Sequence, residues 1–172
     1  MSISEVIKTH CENPDETLRL LVPARPSYLV QRHIFLGKEV QQFVDGDGVD
    51  GRFARLSGRT LSVLERISNG SYVTFGMDPH DKDASCTIAR VDPVLLGIVD
   101  VRIRDPQPAI RVFGGFAEPD ILVLLKWMPR AGLDFRAAAQ LCRQEWDSLF
   151  PGHPPIYGEK VEDYVSKHFN IG

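Results

Sequence analysis

Apolar and polar residues alternate strictly near the middle of the chain, in residues 99–104. Successive side chains of a strand point to opposite faces, so this period of two predicts a strand that is half buried. One face would carry apolar side chains into the core, and the other would carry charged side chains toward solvent. The inward set is Val99, Val101 and Ile103, and the outward set is Asp100, Arg102 and Arg104.

Two more strands follow at short spacing. Pro106 and Pro108 end the first strand, because proline cannot donate a hydrogen bond to a strand ladder and favours turns. Residues 109–116 form the second strand, and residues 121–125 are apolar without alternation, which is typical of a central strand covered on both faces. Turns this short join antiparallel neighbours. We therefore predict a three-stranded antiparallel meander at about residues 98–127.

Helical periodicity flanks this meander on both sides. Apolar residues recur at helical spacing in residues 51–68 and in residues 134–150, where Asp134 is suited to cap the helix. Ser2 and Glu5 fit a capping box at the start of a short N-terminal helix. The expected fold class is α+β, a twisted antiparallel sheet that contains the meander and carries helices on one face.

The chain is expected to form one domain over residues 1–172. Its length is sufficient for one core, and no repeat or linker marks a second domain. Residues 14–22 could begin another helix before the prolines that follow. Residues 158–170 carry an apolar stripe at helical spacing and predict a last helix.

Composition limits the protein classes to which the chain can belong. The net charge of −3 argues against a broadly basic nucleic-acid surface and leaves a local basic patch open. No apolar run reaches the length of a membrane span, and the N-terminus lacks the apolar segment of a signal peptide. Three widely spaced cysteines look like reduced thiols rather than a disulfide framework or a zinc cluster. The cytoplasm is therefore the expected location.

Two loop motifs are considered and set aside. Residues 46–51 match a dinucleotide GxGxxG pattern, but Asp47 and Asp50 within them and Asp45 just before them would repel phosphate, and no buried strand precedes the loop. The same loop does not fit a calcium site, because Leu56 stands where a bidentate glutamate belongs. A second loop is interpreted as a solvated turn rather than a metal site, and its polar residues are Asp78, His80, Asp81 and Asp83. No metal or cofactor is expected.

Basic residues of the meander form the main candidate site. Antiparallel pairing would gather them on one face of the sheet, and they are Arg102, Arg104, Arg111, Lys126 and Arg130. They would either bind phosphate or be balanced internally, and the candidate carboxylates for such balancing are Asp100, Glu118 and Asp120. Spacing alone favours internal balancing.

The order of these elements resembles the RelE/ParE-like superfamily of small toxins and their phage relatives. The shared order is a strand, two helices, the meander and an alanine-bearing helix, over about residues 28–150. The matching segments are Arg111-Val112-Phe113, Leu124-Leu125-Lys126 and Phe135-Arg136-Ala137-Ala138-Ala139. On this resemblance, residues 1–27 are an N-terminal helical extension and residues 151–172 a C-terminal helical tail.

The resemblance implies a toxin-like translation inhibitor. RelE-branch members cut mRNA on the ribosome without a metal, whereas ParE-branch members inhibit DNA gyrase. By resemblance, Arg111 would stabilise the phosphorane, Lys126 and Arg130 would hold the scissile phosphate or act as acid, and Arg102 and Arg104 would bind RNA. The partners implied are an antitoxin protein and the ribosome or mRNA, with no membrane.

A catalytically silent binding protein on the same fold, such as a phage or mobile-element product, is the alternative function. It accounts for the acidic composition and for the lack of a histidine or tyrosine, a suitable general base, in or just after the meander.

Overall fold

A computed structural model describes residues 1–47, 49–81, 85–166 and 168–170. The strands are β1 (Leu18–Leu20), β2 (His33–Gly37), β3 (Val73–Gly76), β4 (Ile88–Arg90), β5 (Ile98–Ile103), β6 (Ile110–Glu118), β7 (Ile121–Pro129) and β8 (His168–Asn170). The α-helices are α1 (Ile3–Glu12), α2 (Lys38–Asp45), α3 (Gly51–Ala54), α4 (Leu56–Ser68) and α5 (Phe135–Leu149). Short 3₁₀ helices occupy Val94–Leu96 and Val161–Asp163.

The described strands form a single open sheet in the order β1-β2-β7-β6-β5-β4-β3-β8. Pairing is antiparallel between β5 and β6, between β6 and β7, between β4 and β5 and between β1 and β2. It is parallel where β2 meets β7, and where β3 meets β4 and β8. The expected α+β class is confirmed, but the sheet is mixed and larger than the antiparallel one predicted.

Helices cover both faces of this sheet, so the prediction that they pack on one face is wrong. One buried cluster joins α2, α3 and α4 to side chains such as Val112 and Leu124, and a second joins α1 and α5 to Phe113 and Leu125. Neighbouring residues of β6 and β7 thus point to opposite faces, and both are apolar. Such strands bury their apolar surface only if each face is covered.

The local helix signals are largely confirmed. Ser2 and Glu5 form the predicted capping box of α1, and the Asp134 carboxylate accepts the Ala137 N–H at the start of α5. The predicted helix over residues 51–68 is present in two pieces, α3 and α4. None of the described helices has the length and apolar character needed to cross a membrane.

The two ends of the chain differ from the prediction. Residues 14–22 hold strand β1 rather than a helix, and Leu18 is fully buried there. The predicted last helix is also wrong, because its segment contains the 3₁₀ helix and β8. The adjacent residues Tyr164 and Val165 are both buried. Phe169 was also expected to be buried, but its side chain is not among those that the structure describes. Tertiary pairing therefore overrides the helical spacing.

A buried arginine ties this C-terminal segment to the sheet. Arg32 is 1% exposed and donates to the carbonyls of Ile67, Ser71 and Ser166. Its Nε lies 3.3 Å from Oδ1 of Asp120. Burial lowers the pKa of Arg32, and the charge of Asp120 opposes that shift. A buried cation needs such partners, because desolvation would otherwise disfavour it strongly.

A β-bulge interrupts the pairing of β6 with β7. Phe113 lies opposite Lys126, whereas the next residue, Gly114, lies opposite Leu124, so β7 carries one extra residue. A Cβ on Gly114 would overlap the carbonyl oxygen of Val123. Glycine permits this close approach of two backbones, and the bulge then sets which face each later residue of β7 occupies.

Candidate functional site

An arginine-rich cleft lies on the α5 side of the sheet, with a cavity volume of about 620 Å³. It is formed by the end of β5, the start of β6, the residue after β7 and the first turn of α5. Its charged and aromatic lining residues are Arg102, Arg104, Arg111, Arg130, Arg136, His80, Asp92 and Phe135. Four of the five basic residues predicted to act together therefore meet in one place.

Sheet register brings these arginines together. Arg102 of β5 lies directly opposite Arg111 of β6, and the backbone N–H of Arg130 donates to the Ala109 carbonyl just before β6. Like charges opposite each other in a sheet are destabilising by themselves. Concentrated positive charge of this kind needs either an internal carboxylate or an anionic ligand.

Asp100 supplies the internal carboxylate. It is 0% exposed, so the prediction that this side of β5 faces solvent is wrong for Asp100. Its Oδ1 lies 3.8 Å from Nε of Arg102, and its Oδ2 lies 3.8 Å from Nε of Arg111. Both distances exceed hydrogen-bonding range, so these contacts are Coulombic. Internal balancing is thus present for two arginines, whereas Asp120 pairs with Arg32 on another part of the sheet.

Arg111 is one of two nearly buried cations of the cleft, with a side chain that is 9% exposed against 8% for Arg102. Its Nη1 donates to the Ile110 carbonyl at 3.1 Å. Burial lowers the pKa of Arg111; Asp100 opposes this shift, while the charges of Arg102, Arg130 and Arg104 add to it. The guanidinium stays protonated in any protein, so the lowered pKa reflects chiefly its burial, and the neighbouring arginine charges add to it.

Lys126 is not brought into the cleft. Its Nζ lies 3.0 Å from Oε2 of Glu145 on α5 and 3.9 Å from Oε1 of Glu39 on α2. Burial acts to lower the pKa of Lys126, but the hydrogen bond and charge of Glu145, with the charge of Glu39, outweigh burial and raise that pKa. The bulge places Lys126 opposite Phe113, two positions along β6 from Arg111.

Lys126→Met is expected to lower the stability of the fold by about 1 kcal/mol or less, because the pair is partly exposed. The raised pKa means that the folded state holds this proton more tightly, so the stabilisation is present below the ordinary lysine pKa and is lost as pH rises through the folded value. Urea denaturation at pH 8 and pH 11 should show a smaller difference from wild type at pH 11. An equal difference at both pH values would contradict the ion pair.

Three residues that complete the cleft were not predicted as site residues, and they are Asp92, Phe135 and Arg136. His80 also lines the cleft, although its loop was interpreted as a solvated turn. Nε2 of His80 lies 3.8 Å from Oδ1 of Asp92, whose Oδ2 lies 2.7 Å from Nη2 of Arg136. The guanidinium carbon of Arg130 lies 5.0 Å from the centre of the Phe135 ring, in cation–π range. The short connection from β7 to α5 could have indicated that Phe135 and Arg136 lie near Arg130. No sequence pattern placed His80 near the arginines, and Asp83 of its loop lies outside the described residues.

This arrangement suits a phosphate ester. Guanidinium groups offer parallel N–H donors that match phosphate oxygens in pairs. Phe135 and His80 present rings beside the charges, against which a base or sugar can pack. Within the ranges that the structure describes, no three histidine, cysteine or acidic side chains are grouped as a metal site.

Comparison with known proteins gives no relative for this chain. No family model matches the sequence. No curated protein and no solved structure matches it significantly.

Proposed function

We propose that the protein is a toxin-like translation inhibitor that binds RNA in the arginine cleft, as its resemblance to the RelE/ParE-like superfamily implies. The observation that carries this proposal is the convergence of Arg102, Arg104, Arg111 and Arg130 in one cavity. Arg102 and Arg104 lie at the end of β5, Arg111 lies in β6, and Arg130 directly follows β7. Such convergence is costly unless a carboxylate or a bound anion offsets it, because each charge raises the potential felt by the others.

RNA is the anion proposed because the cleft combines charge with aromatic surface. Phosphate contacts from arginine supply affinity, and rings such as Phe135 accept unstacked bases. A net charge of −3 for the whole chain does not oppose this, since a local patch governs binding at distances below about 10 Å at ordinary salt. The ribosome or mRNA would be the target, and an antitoxin would be the protein partner.

Cleavage of the bound RNA is the finer part of the proposal. A metal-independent endoribonuclease needs a base for the 2′-hydroxyl and cations for the charge that develops on phosphorus. His80 lies at the cleft beside Asp92, and histidine is the side chain best suited to accept a proton near neutral pH. Arg111 and Arg130 would stabilise the phosphorane, while Lys126 would contribute only indirectly because Glu145 and Glu39 hold it.

The same internal pairs favour a second candidate function, a catalytically silent binding protein. Arg111 and Lys126, two of the three predicted catalytic residues, each contact a carboxylate within the protein. Residues held in this way can shape a surface without taking part in a reaction. On this alternative the cleft would bind another protein's acidic segment and leave RNA intact.

Controlled expression in bacteria separates the two functions. Wild type should arrest growth and should inhibit translation in a cell-free extract, and the double variant Arg104→Ala/Arg130→Ala should lose most of both effects. Exposed Arg52, which pairs with Asp50 outside the cleft, provides the matched control as Arg52→Ala and should behave as wild type. Growth and translation unaffected by wild type would contradict the inhibitor and leave the silent binding protein.

If the RNA is cleaved, His80→Ala should abolish cleavage while binding changes little, since His80 is largely exposed and contributes little to packing. Inhibition of translation with intact RNA would indicate that binding alone is the activity. Primer extension on mRNA recovered from the extract distinguishes these results.

A further inference from the structure

A second basic pocket lies across the sheet from the cleft, beside α4. Its volume is about 150 Å³. Three of its lining side chains, Arg59, Arg66 and Tyr72, come from α4 and the segment just after it, and Arg104 comes from the end of β5. This pocket was not anticipated from the sequence, where residues 51–68 were interpreted only as a packing helix.

Arg59 and Arg66 stand on one face of α4, because seven residues make two helical turns. Both are exposed and line the same pocket with Val63 between them. Neither forms an ion pair within the described part of the chain, in contrast to Arg19, which pairs with Asp45 at 2.9 Å. Asp105 also lines the pocket but forms no ion pair with either arginine, so the four arginines of the lining outnumber this carboxylate and leave the pocket positively charged.

Tyr72 adds an aromatic surface at the edge of this pocket. The residue is 64% exposed, although tyrosine is a large residue that usually packs. It lies between α4 and β3, directly before the first residue of β3. An exposed ring beside arginines is the arrangement that single-stranded nucleic acids use for base stacking.

The cleft and this second pocket share Arg102 and Arg104. The end of β5 therefore has a positively charged cavity on each of its two faces, with the same two residues reaching both. Arg104 is fixed there by donation from its Nη2 to the Ser85 carbonyl at 2.9 Å. A ligand that follows these charges must turn around the end of one strand within roughly 10 Å, the spacing of packed layers.

We propose that single-stranded RNA bound in the cleft crosses the end of β5 and continues over Arg104 into the α4 pocket, where Arg59 and Arg66 contact its backbone and Tyr72 stacks a base. The inference rests on the proposed function. It adds the class of substrate, which is an unpaired RNA strand longer than the cleft alone can hold. A duplex cannot follow this path, because nucleic-acid duplexes are too stiff for so tight a turn. The persistence length of duplex DNA, for example, is about 50 nm.

Fluorescence anisotropy with labelled single-stranded RNA of 4 and 12 nucleotides tests the path. Arg59→Ala/Arg66→Ala should weaken binding of the 12-mer about tenfold and leave the 4-mer within twofold of wild type. The salt slope of 12-mer binding should fall by about 1.4, since each lost phosphate contact on a single strand removes about 0.7. Tyr72→Ala should also weaken only the 12-mer, and Tyr72→Phe should restore it.

Arg52→Ala is the matched control, since Arg52 is exposed on α3 outside both cavities and should leave both lengths unchanged. Equal loss for both lengths, no loss for the 12-mer, or equally tight binding of a 12-base-pair duplex would overturn the path while the cleft stands. Failure of wild type to bind either oligonucleotide would instead contradict the proposed function, and the path with it. Thermal melting of each variant confirms that the compared proteins are folded.

Discussion

Gly114→Ala is expected to destabilise the protein by more than about 3 kcal/mol, beyond the usual range for overpacking a core. An added Cβ would overlap the Val123 carbonyl oxygen and lie 2.8 Å from the Cα of Leu124. Both are backbone atoms of β7 in the middle of the sheet, so no side chain can rotate to make room. Urea denaturation should show a large drop in the midpoint with a similar m-value.

Gly58→Ala is the matched control and is expected to act in the opposite direction. Gly58 lies in α4 with no heavy atom within 4 Å of an added Cβ. Alanine there should stabilise the helix by up to about 1 kcal/mol, because glycine is the poorer helix former and loses more backbone entropy. A Gly114 variant as stable as wild type would contradict the bulge and the position that it gives to Lys126.

Arg111→Ala is expected to weaken RNA binding, and any cleavage, about a hundredfold or more. Arg111 is nearly buried at the point where the charges of Arg102, Arg104 and Arg130 converge, and a donor fixed in such a site contributes far more than one in water. Arg111→Lys should restore binding only in part, because an ammonium group lacks the paired donors. Filter binding and primer extension provide the measurements.

Removal of the neighbouring carboxylate distinguishes this role from a structural one. Asp100→Asn leaves Arg111 in place and removes a negative charge 3.8 Å from its Nε. If Arg111 binds phosphate, RNA affinity should rise several-fold, because the local potential increases. If Arg111 serves only to balance Asp100, both Arg111→Ala and Asp100→Asn should reduce the melting temperature and leave RNA affinity unchanged.

The sequence was most informative where one periodicity dominated. Alternation in residues 99–104 and the unbroken apolar run in residues 121–125 matched β5 and β7, and Asp134 marked the start of α5. Residues 158–170 misled because Val161 and Val165 share a helical spacing although β8 pairs with β3. Three-residue strands such as β8 carry too little pattern to be recognised, and their partners lie far away in sequence.

The cleft could be predicted only in part for the same reason. Arg102 and Arg111 were predicted to meet because they belong to adjacent strands with a short turn. Lys126 was grouped with them because the bulge at Gly114 leaves no trace in the hydrophobic pattern. His80 was missed because it reaches the cleft from the loop between β3 and β4, a position set by the parallel pairing of those strands.

The measurement that tests the central claim most directly is the affinity of the purified protein for single-stranded RNA of 4 nucleotides as a function of salt. If the cleft binds two or three phosphates, the logarithm of the association constant should fall with the logarithm of salt concentration with a slope of about −1.4 to −2. Arg104→Ala/Arg130→Ala should flatten that slope, and Lys126→Met should not. The absence of binding at low salt, or a slope that Arg104→Ala/Arg130→Ala leaves unchanged, would contradict the account.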